Sequence, residues 1–186
     1  MSNEDNAGLS LVPLPEIDEK YLSAIEIEER PERGRHGEFY RVKGDDRIGV
    51  KVGRPSDIKR EVDTLKRFGG KDRLLPECFG SLGSDRYVVE CIDGSTLTQA
   101  RDLGIKVPRA TKELALNQLE TDAAQGLTNV DLLNADNVLL DRRSGRIRLV
   151  DPRGITSPEE RGANNVVVKI IVNRFRKLLD LYLMDE

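Results

Sequence analysis

Residues 126–154 constrain this chain more than any other stretch. They read Gly-Leu-Thr-Asn-Val-Asp-Leu-Leu-Asn-Ala-Asp-Asn-Val-Leu-Leu, then the charged turn Asp-Arg-Arg-Ser-Gly-Arg, then Ile-Arg-Leu-Val-Asp-Pro-Arg-Gly. An acid, Asp131, stands before a loop. An amide, Asn137, opens an apolar strand, and a second acid, Asp151, closes the next one. Residues 138–140 and 147–150 read as a hairpin around Arg143-Ser144-Gly145. Such a layout can hold metal-bound phosphates beside a base that orients a hydroxyl.

The totals narrow the class. A chain of 186 residues suffices for one domain or a compact two-lobed one. Charges of both signs are spread along it and the net charge is -3, so it lacks the basic stripe of a nucleic-acid binder and no nucleic-acid partner is expected. Cys78 and Cys91 sit in apolar segments and read as buried thiols rather than a disulfide, which fits a cytosol-like compartment. No run approaches eighteen apolar residues, so no membrane span is expected. The first residues are polar and acidic, without the basic and apolar regions of a signal peptide. Residues 1–20 are expected to be a flexible polar leader and 21–186 a single domain, acting as a monomer.

Residues 23–28 alternate apolar and charged, a strand signal. Residues 30–37 read as a charged turn, 38–43 as a second strand, Gly44-Asp45-Asp46 as a hairpin turn, and 47–52 as a third strand. Pro55-Ser56-Asp57 offers capping chemistry for a helix carrying Ile58, Val62 and Leu65, stopped at Gly69-Gly70. A strand pair follows over 78–82 and 86–92, and Asp93-Gly94 breaks the chain. Residues 110–125 are predicted helical with Leu116, Leu119 and Ala123 on one face. A final helix is predicted over about 165–183, despite its β-favouring Val166-Val167-Val168 start. The order is strands with one helix, a break, then helices with an embedded hairpin: an α+β chain with an N-lobe of about 21–92 and a C-lobe of about 93–186.

Lys51 lies in Arg-Ile-Gly-Val-Lys-Val, on a predicted strand. Glu61 follows on the predicted helix. A lone strand lysine is ordinarily exposed, and a lone helix glutamate is ordinarily solvated. Together they have a use: a strand lysine held by a helix glutamate presents a compact ammonium to phosphates. The turn Gly34-Arg-His-Gly37 can lower backbone N–H groups onto phosphates. His36, the sole histidine, is read as solvated.

Lys51, Glu61, Val89-Glu90-Cys91-Ile92-Asp93-Gly94, Asp131, Asn137 and Asp151 occur in an order that resembles a protein-kinase-like fold over roughly residues 23–155. The resemblance implies a minimal two-lobed kinase with a truncated helical C-lobe. It implies ATP bound by Gly34, Gly37, Phe39, Val42, Lys51 and the hinge at Glu90 and Ile92. It further implies catalysis by Asp131 with Lys51 and Glu61, and Mg²⁺ held by Asn137 and Asp151.

The sequence departs from that pattern in several places. Asn129 and Val130 stand where the family usually has His and Arg, so activity should not need loop phosphorylation. The spacing from Asp131 to Asn137 is one residue longer than usual. Either the loop bulges and Asn137 is the metal ligand, or Asp136 replaces it; both offer the hard oxygen Mg²⁺ prefers. The Val-Leu-Leu strand directly after Asn137 favours Asn137, and the plain alternative is that Asn134 and Asp136 only cap the turn. Pro152 stiffens the acidic turn where an aromatic is usual, and Tyr40 stands where a third glycine would, crowding or covering the nucleotide.

The small C-lobe resembles bacterial effector kinases, and the HopBF family of type III secreted kinases in particular. That resemblance implies a protein substrate, the eukaryotic heat-shock protein 90 chaperone, and export from the bacterial cytoplasm to the host cytosol. Two other readings stand beside it. One is a pseudokinase or nucleotide-binding module without turnover. The other is a small-molecule kinase, which usually carries a larger C-lobe.

Overall fold

The structure, a computed structural model of the chain, describes residues 17–34, 37–127, 134–150 and 165–185. Strand pairing organises the first half. Glu32–Gly34 (β1), Gly37–Val42 (β2), Asp45–Gly53 (β3), Cys78–Ser81 (β4) and Arg86–Glu90 (β5) form one sheet in the order β1-β2-β3-β5-β4. Every neighbouring pair in it is antiparallel. The β2–β3 turn is Lys43-Gly44 rather than residues 44–46. Gly44 takes φ 75°, which a residue without Cβ enters freely, and β3 therefore starts at Asp45. β1 arises within residues predicted to be a turn.

Side chains alternate across this sheet, so its two faces carry different cores. Val42, Ile48, Val50 and Val88 face one side, together with Ile17, Tyr21, Leu22 and Ile25. Those four recur at helical spacing, and Asp18 accepts a hydrogen bond from the Tyr21 N–H at 2.7 Å. Hence Glu19–Ala24 is a helix (α1), not the strand expected over 23–28; only Ile27 makes a lone bridge, to Val42. Residues 17–20 accordingly belong to the folded body, while residues 1–16 lie outside the described chain.

The opposite face carries Tyr87 and Val89 and is covered by Pro55–Phe68 (α2). Pro55 occupies the first turn, where its missing N–H costs nothing. Arg54 is the cap residue and gives no side-chain cap, so Ser56 and Asp57 lie inside the helix instead of capping it. The buried face of α2 is Ile58, Glu61, Val62, Leu65 and Phe68, a helical stripe with a carboxylate in it, and Thr64 is buried beside it.

In the second half, Gly94–Thr96 (β6), Val138–Asp141 (β8) and Ile147–Leu149 (β9) make a small antiparallel sheet in the order β6-β8-β9. Lys106–Val107 (β7) pairs in parallel with Met184–Asp185 (β10). Leu97–Asp102 (α3) opens with a capping box between Thr96 and Gln99. Arg109–Ala124 (α4) buries Leu116, Leu119 and Ala123 as its periodicity requires. Asn165–Tyr182 (α5) is helical from its valine-rich start, because Val168, Ile171, Val172, Phe175 and Leu179 keep the helical period. β6, α3, β7 and β10 have no counterpart in the sequence reading.

One buried cluster runs through α2, β5, α4, β8, β9 and α5, so the two halves share a core. Both cysteines are free thiols; Cys91 is buried and Cys78 half-buried. Among the described residues, no helix is long and apolar enough to cross a membrane.

Candidate functional site

The register of three strands places Phe39, Lys51 and Tyr87 directly opposite one another, in one row on the α2 face of the sheet. Lys51 reaches across to α2, where its Nζ lies 2.9 Å from Glu61 Oε2. The same oxygen accepts a hydrogen bond from the Tyr87 hydroxyl, also at 2.9 Å. Glu61 is 4% exposed and Tyr87 1%. Taking two charges out of water is costly unless they are paired and hydrogen-bonded, and this constellation supplies both. Tyr87 was not singled out in the sequence. Its signal was a polar-tipped aromatic in the apolar strand that pairs with the Lys51 strand; a buried phenol needs a partner.

Two strand positions along the same face, Gly49 leaves room that the Phe39 ring fills. A Cβ at position 49 would overlap the outer end of that ring. Gly37 is constrained otherwise, since a Cβ there would stand 2.5 Å from the Val52 carbonyl oxygen. Gly34 lies in β1, opposite Gly37, and His36 lies outside the described residues. The structure corrects two assignments on β2. Val42 is buried in the core beneath α1, and Tyr40 packs against that same core with its hydroxyl bonded to Glu38 Oε2 at 2.7 Å. Alternation along β2 turns both away from Lys51, so Val42 is not placed for a nucleotide and Tyr40 does not crowd one.

β5 ends at Glu90, and Cys91–Asp93 lead into β6. The Glu90 carboxylate is occupied by Arg148, with Oε2 to Nη2 at 2.5 Å and Oε1 to Nη1 at 3.2 Å, and by the Glu77 N–H at 3.1 Å. Arg148, on β9, also donates to the carbonyls of Lys71 and Gly70 at 3.1 and 3.4 Å. Cys91 donates its N–H to Arg47 O at 2.7 Å. Burial pushes its thiol pKa up, against the opposing pull of Arg41, whose Nη1 is 3.8 Å from the sulfur. Ile92, half-buried, makes no backbone hydrogen bond among the described residues. Its N–H and C=O therefore suit the polar edge of a planar base.

β6 pairs with β8, so the segment after Ile92 runs beside the strand that Asn137 opens. Asn134 Oδ1 accepts from the Asp136 N–H at 3.2 Å, capping a 3₁₀ turn over Ala135–Asn137. The exposed Asp136 carboxylate accepts from Thr98 Oγ1 at 3.2 Å. Asn137 is half-buried, and its carbonyl oxygen accepts the Val150 N–H at 3.0 Å. The β8–β9 hairpin thus brings the residue before Asp151 against Asn137. Asp131 and Asp151 themselves, with Asn129 and Val130, lie outside the described residues.

Among the described residues no cluster of three or more His, Cys, Asp or Glu forms a metal site. The oxygen donors of Asn137 and Asp136 nonetheless suit a hard cation completed by substrate phosphates and water. Among the described residues, the anchored Lys51 ammonium, the Ile92 backbone without a hydrogen bond and the oxygens of Asn137 and Asp136 are groups of the kinds a nucleotide and a hard cation would need.

A strand lysine tied to a helix glutamate, beneath a five-stranded antiparallel sheet joined through a short connection to a helical half with an embedded hairpin, defines a protein-kinase-like fold. Solved structures agree. The chain is similar to the Rio2 kinase from Chaetomium thermophilum, with TM-score 0.60 and 14% identity over 85% of this chain and 57% of that one. The ADP/Mg²⁺-phosphoaspartate complex of the same kinase gives TM-score 0.58 and 14% identity, over 84% of this chain and 56% of that one. Rad53 1–466 in complex with AMP-PNP gives TM-score 0.59 and 16% identity, covering 88% and 49%. The chain thus spans between about half and three-fifths of the length of these kinases. No family model matches the sequence, and no curated protein matches it.

Proposed function

We propose that this chain is an ATP- and Mg²⁺-dependent phosphotransferase that moves the γ-phosphoryl group of ATP onto a protein hydroxyl. The observation that carries the proposal is the Lys51–Glu61 ion pair between β3 and α2, with Glu61 buried and Lys51 half-buried. In this reading Lys51 holds the α- and β-phosphates and Glu61 keeps the ammonium directed at them. The Ile92 backbone receives the adenine edge, leaving the Glu90 side chain to Arg148. Asn137 and Asp151 would hold the metal, whose charge offsets that of the transferring group. Asp131 would accept the hydrogen bond of the incoming hydroxyl and take its proton. Catalysis then consists mainly of positioning and electrostatic stabilisation.

The finer reading rests on the sequence resemblance to the HopBF effector kinases. In it the acceptor is a host protein, with the heat-shock protein 90 chaperone the first candidate. The enzyme acts as a monomer in the host cytosol after export from the bacterium.

The test is transfer of labelled γ-phosphate from ATP to proteins of a eukaryotic lysate. Wild type should label a discrete band, and Asp131→Asn and Asp151→Ala should lose the label while keeping the wild-type melting temperature. Wild-type labelling by Asp151→Ala would overturn the assignment. Nucleotide binding with no transfer to any protein would favour a binding module without turnover.

A further inference from the structure

We infer that Tyr87 is a positioning residue for Lys51: its hydroxyl fixes the Glu61 carboxylate so that the ammonium is in place before a nucleotide arrives. The inference deepens the proposed function and rests on it.

The argument begins with flexibility. Lysine and glutamate are long side chains, and a single ion pair between them leaves both free to rotate together. Tyrosine is stiff by comparison, with two side-chain torsions and, here, a ring packed in the core. Because Tyr87 sits directly across from Lys51 in the β3–β5 register, its hydroxyl reaches the Glu61 oxygen that Lys51 uses. The shared oxygen is thereby held from two strands at once. Glu61 and Tyr87 are 4% and 1% exposed, so water does not compete for the bond between them.

The helix that carries Glu61 is anchored as well. Arg67, in its last turn, donates to Gln125 O at 2.6 Å. Beyond the helix, the Gly70 and Lys71 carbonyls are bound by Arg148, and Asp72 by Arg146. Arg73 pairs with Asp122 at 2.5 Å, and Leu74 O accepts the Leu149 N–H at 2.8 Å. Swinging α2 away from the sheet would break these contacts together. Lys51 is accordingly preorganised.

The test is a double-mutant cycle on ATP·Mg²⁺ affinity, read by displacement of a fluorescent ATP analogue and, with activity, by KM and kcat. Tyr87→Phe keeps the ring and removes only the hydroxyl. It should weaken affinity and raise KM about 3- to 10-fold, the worth of one hydrogen bond, with a smaller change in kcat. In a Lys51→Met background the same Phe substitution should change affinity no further. Two results overturn the inference while leaving the proposed function standing: Tyr87→Phe binding like wild type, or an equal Phe effect in both backgrounds, which would mark a purely structural role. A wild-type protein that binds no ATP·Mg²⁺ overturns the proposed function and the inference with it.

Discussion

Arg148 and Glu90 hold each other across the junction of the two sheets. The guanidinium on β9 is 1% exposed and meets the last carboxylate of β5 with both terminal nitrogens. The strand that leads toward Asp151 is thus tied to the strand that leads toward Ile92. Removing the carboxylate leaves a buried cation with only carbonyl partners, while removing the cation frees a carboxylate that is 20% exposed and can regain water. Glu90→Ala should therefore cost about 3 kcal/mol and Arg148→Met clearly less, measured by urea unfolding. Equal losses would show that the pair is not desolvated as described.

The second tie joins Arg73, after α2, to Asp122 on α4. The Asp122 side chain is fully buried, and burial raises its pKa even though Gln118 and Arg73 pull it down. Arg73→Ala strips the cationic partner from a buried carboxylate and leaves it only the Gln118 amide, at a cost of about 3 kcal/mol near neutral pH. The raised folded pKa favours the protonated acid, so the native state holds that proton as pH rises past the unfolded value of about 3.9. The mutational loss should shrink below that pH, where the acid is neutral in both states. Unfolding midpoints from pH 3 to pH 7 check this.

Gly49 and Phe39 make a packing prediction. A methyl group at position 49 would displace the Phe39 ring, and overpacking of this kind costs about 1–3 kcal/mol. Gly49→Ala should lower the melting temperature, and Phe39→Leu added to it should recover part of the loss. A neutral Gly49→Ala would mean the ring has room elsewhere.

Acid should loosen the hold of β3 on α1, made through Asp45 and Tyr21. Asp45 accepts hydrogen bonds from Arg47 Nε and Nη2, from the Arg47 N–H and from the Tyr21 hydroxyl, at 2.6 to 3.0 Å. Those bonds, the Arg47 side chain foremost, hold its pKa far below the usual carboxylate value. A depressed folded pKa contributes stability that is present above the unfolded pKa of about 3.9 and is lost as pH falls toward the folded value. Asp45→Asn should thus be less stable than wild type at pH 6, and the gap should close steadily toward pH 2. A gap independent of pH would contradict this.

Local chemistry carried much of the fold. Gly44 marks the β2–β3 hairpin, the stripe Ile58, Val62, Leu65 marks α2, and Leu116, Leu119, Ala123 mark α4. Each depends only on residues close in the chain, through turn geometry or helical period. α1 is not legible locally, because its apolar residues lie at helical spacing toward a sheet face that does not exist until β2, β3 and β5 pair. β6, β7 and β10 are too short to carry a pattern, and form only because partner strands from elsewhere in the chain offer hydrogen bonds.

The sequence alone determined which residue types were available: an ammonium on a strand, a carboxylate on the helix after it, and an amide and an acid flanking a hairpin. Tertiary structure decided which of them meet. It turned Glu61 inward on a mostly apolar face, set Tyr87 across from Lys51 by register, and moved Tyr40 and Val42 to the far face by alternation. It also committed the Glu90 side chain to Arg148. Register and burial are properties of the paired sheet and its shared core, and no single segment contains them.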